Sequence, residues 1–230
     1  MSAFSGFGPD IMAFYKGLVA ENTKARWYAH RDIYETQVKA PVTALVATLE
    51  PEFGPVKIFS PFNDLRFTRD RPPYRTNVAI AARRGDGTAL YFGVSAEWGV
   101  DLGGGMFGPS RDQLRRFRVL QDDPEATGSL DVLLSPLAQA GFSPSTEDKL
   151  ATAPRGWPRD HPRIELLRLR RLLIGQHRTP GPWLAEPDCL DLVVDAWRAV
   201  APWHHWLAER VGPPLSTAIA TSSPTTRRST

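Results

Sequence analysis

Asn77-Val78-Ala79-Ile80-Ala81-Ala82-Arg83-Arg84-Gly85-Asp86-Gly87-Thr88-Ala89-Leu90-Tyr91-Phe92-Gly93-Val94 decides the fold class. Val78, Ile80 and Ala82 alternate with Asn77, Ala79 and Ala81, and Leu90, Phe92 and Val94 alternate with Ala89, Tyr91 and Gly93. A period of two puts each set on one face of a strand. The Arg83–Gly87 stretch between them carries two glycines and an aspartate, the composition of a hairpin loop. Val56–Phe59 and Trp98–Leu102 read as neighbouring strands. The middle of the chain is therefore expected to form a small, mostly antiparallel sheet.

Helical periods flank it. Ile11, Phe14, Tyr15, Leu18 and Val19 share one helical face, with Asp10 as its expected cap and Asn22-Thr23 as its exit. A second pattern runs from Ile33 to Leu49. Pro41 lies inside it and predicts a kink or break there, and Pro51, Gly54 and Pro55 end it. Ser110-Arg111-Asp112-Gln113 has the form of a capping box. Leu130–Ala140, Ile164–Ile174, Asp188–Val200 and Trp203–Val211 read as further helices. Helices before and after an antiparallel sheet make the fold α+β. Residues 1–212 are expected to be a single domain. In the stretch 215–230, 9 of 16 residues are Ser or Thr, so 213–230 is expected to be a disordered tail.

Composition excludes several classes. The 230 residues are enough to bury roughly 70–75% of the unfolded surface without a staple. The single cysteine, Cys189, excludes an internal disulfide, and is read as a small buried residue. No apolar run reaches the roughly 18 residues of a membrane span. No basic segment precedes an apolar core at the N-terminus, so a cytoplasmic protein with no membrane partner is expected. Trp183, Trp197, Trp203 and Trp206 read as core or a subunit contact. His204 and His205 point to different sides of a helix and form no two-ligand site. Nothing in the sequence names a cofactor, a metal set or an oligomeric state.

The net charge of +3 is unevenly distributed. Residues 55–120 carry 11 basic and 6 acidic groups, residues 121–150 carry 1 and 6, and residues 151–180 carry 7 and 2. Two basic blocks thus flank an acidic one. Of the 28 basic residues 23 are arginine, whose planar fork suits phosphate and carboxylate.

The densest cluster is Asn63-Asp64-Leu65-Arg66-Phe67-Thr68-Arg69-Asp70-Arg71-Pro72-Pro73-Tyr74-Arg75. Pro72-Pro73 keeps the chain extended or turns it back, which brings Tyr74 and Arg75 towards the start of the segment. Arg66, Arg69, Tyr74 and Arg75 then form an anion anchor. The structural alternative is a set of Arg–Asp ion pairs holding a loop to the sheet edge.

Two further features are candidates for the same site. The Gly103–Gly108 stretch runs into the helix capped by Ser110, and Gly104 and Gly105 are expected to offer backbone amides to an anion, with Arg118 on a second wall. No Gly-Lys-Ser/Thr follows, so it is not a P-loop. In Pro154–Glu165, His161 and Glu165 are expected to meet across a first helical turn. There His161 would transfer protons, and Asp64 or Asp70 would orient or ionise a neighbour. The structural reading of His161 is a helix-start cap.

Several segments resemble an uncharacterised family. They are Phe4-Ser5-Gly6-Phe7; Asn22 with Trp27-Tyr28, Arg31 and Tyr34; Asp64-x-Arg66-Phe67-x-x-Asp70-x-x-Pro73-Tyr74-Arg75; Gly104-Gly105; and Pro154-Arg155-Gly156 with Asp160-His161-Pro162 before Glu165-Leu166-Leu167. The family is a domain of unknown function, number twenty-four sixty-one, of bacteria and some fungi. The resemblance spans Phe4 to Val211. It departs at Asn63, where the family has arginine, and at Arg71 and Arg75, where it has lysine. The resemblance implies no activity or cofactor, but it implies that the three clusters share one site.

The functional expectation is an arginine-lined cleft for a small anionic ligand bearing phosphate or carboxylate, with hydrolysis or group transfer as the chemistry. The alternatives are a nucleic-acid-binding module whose basic blocks track a backbone, and an interaction protein whose arginines make internal ion pairs.

Overall fold

In the computed structural model, residues 3–64 and 71–215 are described. The chain opens with helices α1 (Ile11–Ala20), α2 (Lys24–Ala29) and α3 (Arg31–Ile33), a π-helical turn over Tyr34–Lys39, and α4 (Ala40–Phe53). Strands β1 (Val56–Ile58), β2 (Asn77–Arg83), β3 (Ala89–Ser95) and β4 (Gly99–Met106) follow. Then come α5 (Arg111–Val119), α6 (Pro124–Gln139), the short β5 (Ser143–Pro144), α7 (Ile164–Leu167) and β6 (Leu172–Arg178). Helices α8 (Asp188–Ala199) and α9 (Ala201–Trp206) and a π-helical turn over Leu207–Val211 complete the order.

The six strands form one antiparallel sheet in the order β1-β2-β3-β4-β6-β5. Helices before, between and after it make the fold α+β. The hairpin falls where the alternation puts it, with Ile80 opposite Phe92 and Ala82 opposite Leu90. Because side chains alternate across the pleat, Ile80, Leu90, Phe92, Val94, Val100, Leu102 and Ile174 share one buried face. Helices α8 and α9 lie on β3 and β4. Trp197 donates its indole N–H to the Tyr91 carbonyl at 3.0 Å, and Phe7 stacks on Phe92 at 6.1 Å. Each such apolar side chain contributes about 1.5–3 kcal/mol by leaving water. Trp197, Trp203 and Trp206 are buried in this layer.

The break expected at Pro41 takes a defined form. Pro41 has no N–H to give to Gln37, four residues back, and the helix widens so that the Ala40 N–H reaches the Glu35 carbonyl. Helix α4 restarts with Pro41 in its first turn, and Gly54, at φ 79°, caps its end. Pro51 is accommodated inside the helix rather than ending it.

Four local expectations are corrected. Asp10 makes no side-chain cap; its carboxylate accepts from the Gln37 amide at 3.2 Å instead. Val19 is exposed while the rest of its helical face is buried. The 164–174 stretch is helical only to Leu167, and Leu172 begins strand β6. Gly103, Gly104 and Gly105 are not a loop but the second half of β4. The last two corrections have one cause, since β4 and β6 are partners. Gly103 faces Gly175, and a Cβ on Gly103 would fall 2.2 Å from the Ile174 carbonyl oxygen. The glycines let two backbones close on one another.

The Ser110 capping box is present. Its hydroxyl accepts from the Gln113 N–H at 3.3 Å, while the Gln113 side chain accepts from the Ser110 N–H at 2.9 Å. Helix α6 starts earlier than the sequence pattern implies, because the Asp123 side chain accepts from the N–H groups of Glu125 and Ala126. After Gly212 the chain remains attached to α5, with the Pro213 carbonyl held by Arg116 and the Leu215 N–H by Asp112. The rest of the expected tail, 216–230, lies outside the described residues.

Candidate functional site

On the sheet face opposite Phe92 and Leu102, small and polar residues replace the apolar ones. Ala79 in β2, Gly93 in β3, Asp101 in β4 and His177 in β6 are direct cross-strand neighbours. A cleft of about 1520 Å³ opens over this face and the nearby strand ends. Tyr91, Trp98 and Phe107 give it aromatic walls, and Tyr91 and Phe107 are in contact at 5.6 Å. Lys16 and Arg171 are its cationic residues, set among Glu97, Glu147 and Glu186.

Its main polar pair is Asp101 and His177. His177 Nδ1 lies 3.0 Å from Asp101 Oδ1. An ionised carboxylate only accepts, so Nδ1 is the donor in this pair. Gly99, at φ +82°, lies under the imidazole; a Cβ there would come 3.0 Å from His177 Cε1. Nearby, burial pushes the Tyr91 phenol up to about 12, the Asp101 carboxylate adds to the rise and the Arg75 guanidinium opposes it.

Arg66, Arg69 and Asp70 lie outside the described residues, and Asp64 is the last described residue before them. The described residues on either side of 65–70 are tied together. Asn63 N–H donates to the Pro73 carbonyl at 2.9 Å, its side-chain amide to Pro72 at 2.8 Å, and Arg75 N–H to Pro61 at 2.7 Å. Tyr74 is buried, stacked on Trp27 at 4.4 Å and 6°, and Asn22 clasps its backbone from both sides. Arg75 passes over the Phe59 ring at 5.8 Å. Its Nε is buried with no hydrogen-bond partner among the described residues.

Gly104 lines the cleft but has buried His204 packed against it, where a Cβ would come 2.4 Å from Nε2. Gly105, at φ +140°, packs against the Leu172 carbonyl and the Trp203 indole. Arg118 donates to the carbonyls of Leu167 at 2.9 Å and Leu169 at 3.2 Å, joining α5 to the end of α7. His161 Nε2 meets Asp122 at 2.9 Å, and its Nδ1 accepts the Arg163 N–H at 3.0 Å. Trp157 donates to the other Asp122 oxygen. Glu165, expected beside His161, is held by Lys149 and Arg168 instead. Gly104 thus lines the cleft and the Arg75 charge reaches Tyr91 in it, whereas Arg118 and His161 are engaged elsewhere.

Tyr91, Asp101 and His177 form a constellation that the sequence reading missed. Asp101 and His177 are 76 residues apart, and only the β4–β6 register brings them together. The available signal was the alternation of Leu172 and Ile174 with Gly175 and His177, which matches a strand as well as a helix end.

Three of the seven arginines of the second basic block meet the acidic one, and a fourth meets a carboxylate of its own block. Arg163 pairs with Asp131, Arg170 and Arg171 with Asp148, and Arg168 and Lys149 with Glu165. Among the described residues no three His, Cys, Asp or Glu side chains gather as a metal site. No helix among them is long and apolar enough to cross a membrane.

No curated protein and no solved structure matches the chain. A family model described as "Conserved hypothetical protein (DUF2461)" matches residues 10–206, taking in all the sheet strands and the helices on both sides of them. The chain belongs to this DUF2461 family.

Proposed function

We propose that the cleft binds a small ligand bearing a phosphate or carboxylate group, and that Asp101 and His177 carry out hydrolysis or group transfer on it. The observation that carries this reading is the 3.0 Å Asp101–His177 hydrogen bond in the cleft. Asp101 holds the imidazole in one tautomer, leaving Nε2 to take a proton from water or a ligand hydroxyl as the new oxygen bond forms. The same nitrogen returns that proton to the departing oxygen. Arg75, whose charge is felt at the Tyr91 phenol, is the anchor for the anionic group. Arg66 and Arg69 are proposed to join it.

The pairing of Arg163, Arg168, Arg170 and Arg171 with carboxylates weakens the case for a nucleic-acid track, because paired charges release few counterions. A thermal-shift series tests the reading with pyrophosphate, nucleotides, sugar phosphates, small carboxylates and short oligonucleotides. A ligand at 100 times its Kd adds about 2.7 kcal/mol, roughly 5–10 °C for a chain of this size. The expected result is a small-anion shift that Arg75→Ala removes and His177→Ala keeps, with turnover lost in His177→Ala. Stabilisation by oligonucleotides alone, erased by salt, would replace this reading with a binding module. A flat series, with Arg75→Ala lowering the midpoint by itself, would leave Arg75 a purely structural role.

A further inference from the structure

We infer that Tyr91 completes a row of three proton-handling groups across the cleft floor, its hydroxyl seated in a slot that Gly93 leaves open beside Asp101 and His177. This rests on the reading of the cleft as an acid–base site.

Gly93, Asp101 and His177 occupy the same cross-strand row, one on each of β3, β4 and β6. Adjacent positions in such a row are about 4.8 Å apart. Tyr91 is two residues before Gly93 and so faces the same side. Its ring leans along the strand onto the glycine. A Cβ at position 93 would stand 2.5 Å from the Tyr91 hydroxyl oxygen, 2.9 Å from Cζ and 2.8 Å from Trp98 Cη2. The backbone there is ordinary strand, so the need for glycine comes from the phenol and indole above it and not from a left-handed φ. Any larger residue would lift the hydroxyl out of the row.

The phenol stays protonated near neutral pH, so Tyr91 is a hydrogen-bond donor. It keeps its proton throughout. While His177 Nε2 takes the proton of the attacking oxygen, Tyr91 O–H donates to a ligand oxygen on which negative charge builds. Asp101 stands between them, orienting the imidazole and raising the cost of ionising the phenol. Imidazole, phenol and carboxylate thus divide the roles of base, donor and orienting charge.

The test is a 19F titration of the full chain labelled with 3-fluorotyrosine, whose phenol ionises below that of tyrosine, with Tyr91 assigned by Tyr91→Phe. Asp101→Asn is expected to lower the Tyr91 midpoint by about one pH unit. In Gly93→Ala the midpoint is expected to move and to lose its response to Asp101→Asn. An unchanged Tyr91 midpoint in Asp101→Asn overturns the inference. If Gly93→Ala does not fold, the Asp101→Asn titration alone decides. Inorganic phosphate added to the same samples separates the two readings. Coupling without phosphate binding upholds the row and overturns only the anion anchor; phosphate binding without coupling does the reverse.

Discussion

The Gly8 N–H donates to the Gln37 carbonyl at 3.0 Å, the carbonyl to which Pro41 has no N–H to give. One residue type creates an orphan acceptor inside a helix, and a distant glycine satisfies it. The contact is close, since a Cβ on Gly8 would lie 2.3 Å from Gln37 Cβ. The N-terminal segment is thereby fixed beside the π-helical turn, where its Phe4 and Phe7 join the core.

Gly8→Ala should therefore lower stability by about 1–3 kcal/mol, the range for forcing an extra carbon into a packed site. Urea unfolding measures it. A midpoint within error of the parent chain would show that the segment can move aside freely.

His204 sets a pH dependence. Its ring is buried against Gly104, and neither nitrogen has a hydrogen-bond partner among the described residues. Burial first, with help from Arg84 and against Asp86, lowers its pKa to about 4 from an ordinary 6.5. The unfolded chain then binds a proton that the folded chain refuses, so stability falls as pH drops from about 6.5 to about 4 and is unaffected by this group above that window. The full loss is on the order of 3 kcal/mol. Unfolding midpoints at pH 7 and pH 4.5 should separate more in the parent chain than in His204→Leu.

Arg118 joins two elements through buried carbonyls. Arg118→Met should cost about 1–3 kcal/mol, because the acceptors on Leu167 and Leu169 lose their donor. Phosphate affinity in the cleft should remain that of the parent chain, as isothermal titration would record. A loss of affinity without a loss of stability would return Arg118 to the site.

Asp122 holds Trp157 and His161 at once. Asp122→Ala should speed amide exchange locally across 154–163 and cost only about 1 kcal/mol globally. Hydrogen-exchange mass spectrometry distinguishes this from a uniform rise, which would mean that the clip stabilises the whole fold.

Much of the local structure was legible because its cause is local. The Val78–Val94 alternation, the Gly85-Asp86-Gly87 turn, the Ser110–Gln113 box and the Pro41 break depend on residues a few positions apart. The glycine run misled for the opposite reason. Three glycines have no side chains to show a period, and only a facing strand reveals that they serve close pairing. The arginine cluster drew attention by composition, yet composition does not show that Tyr74 turns inward onto Trp27.

The sequence by itself determined an α+β chain with a central antiparallel hairpin and the positions of most helices, since these follow from side-chain period, caps and turn chemistry. Only the tertiary structure decided that β6 lies beside β4 and that Tyr91, Asp101 and His177 meet on one open face. It likewise decided that Arg163, Arg170 and Arg171 pair with Asp131 and Asp148 of the acidic block. Those outcomes depend on strand register and on which surfaces are buried, quantities set by contacts between residues far apart in the chain.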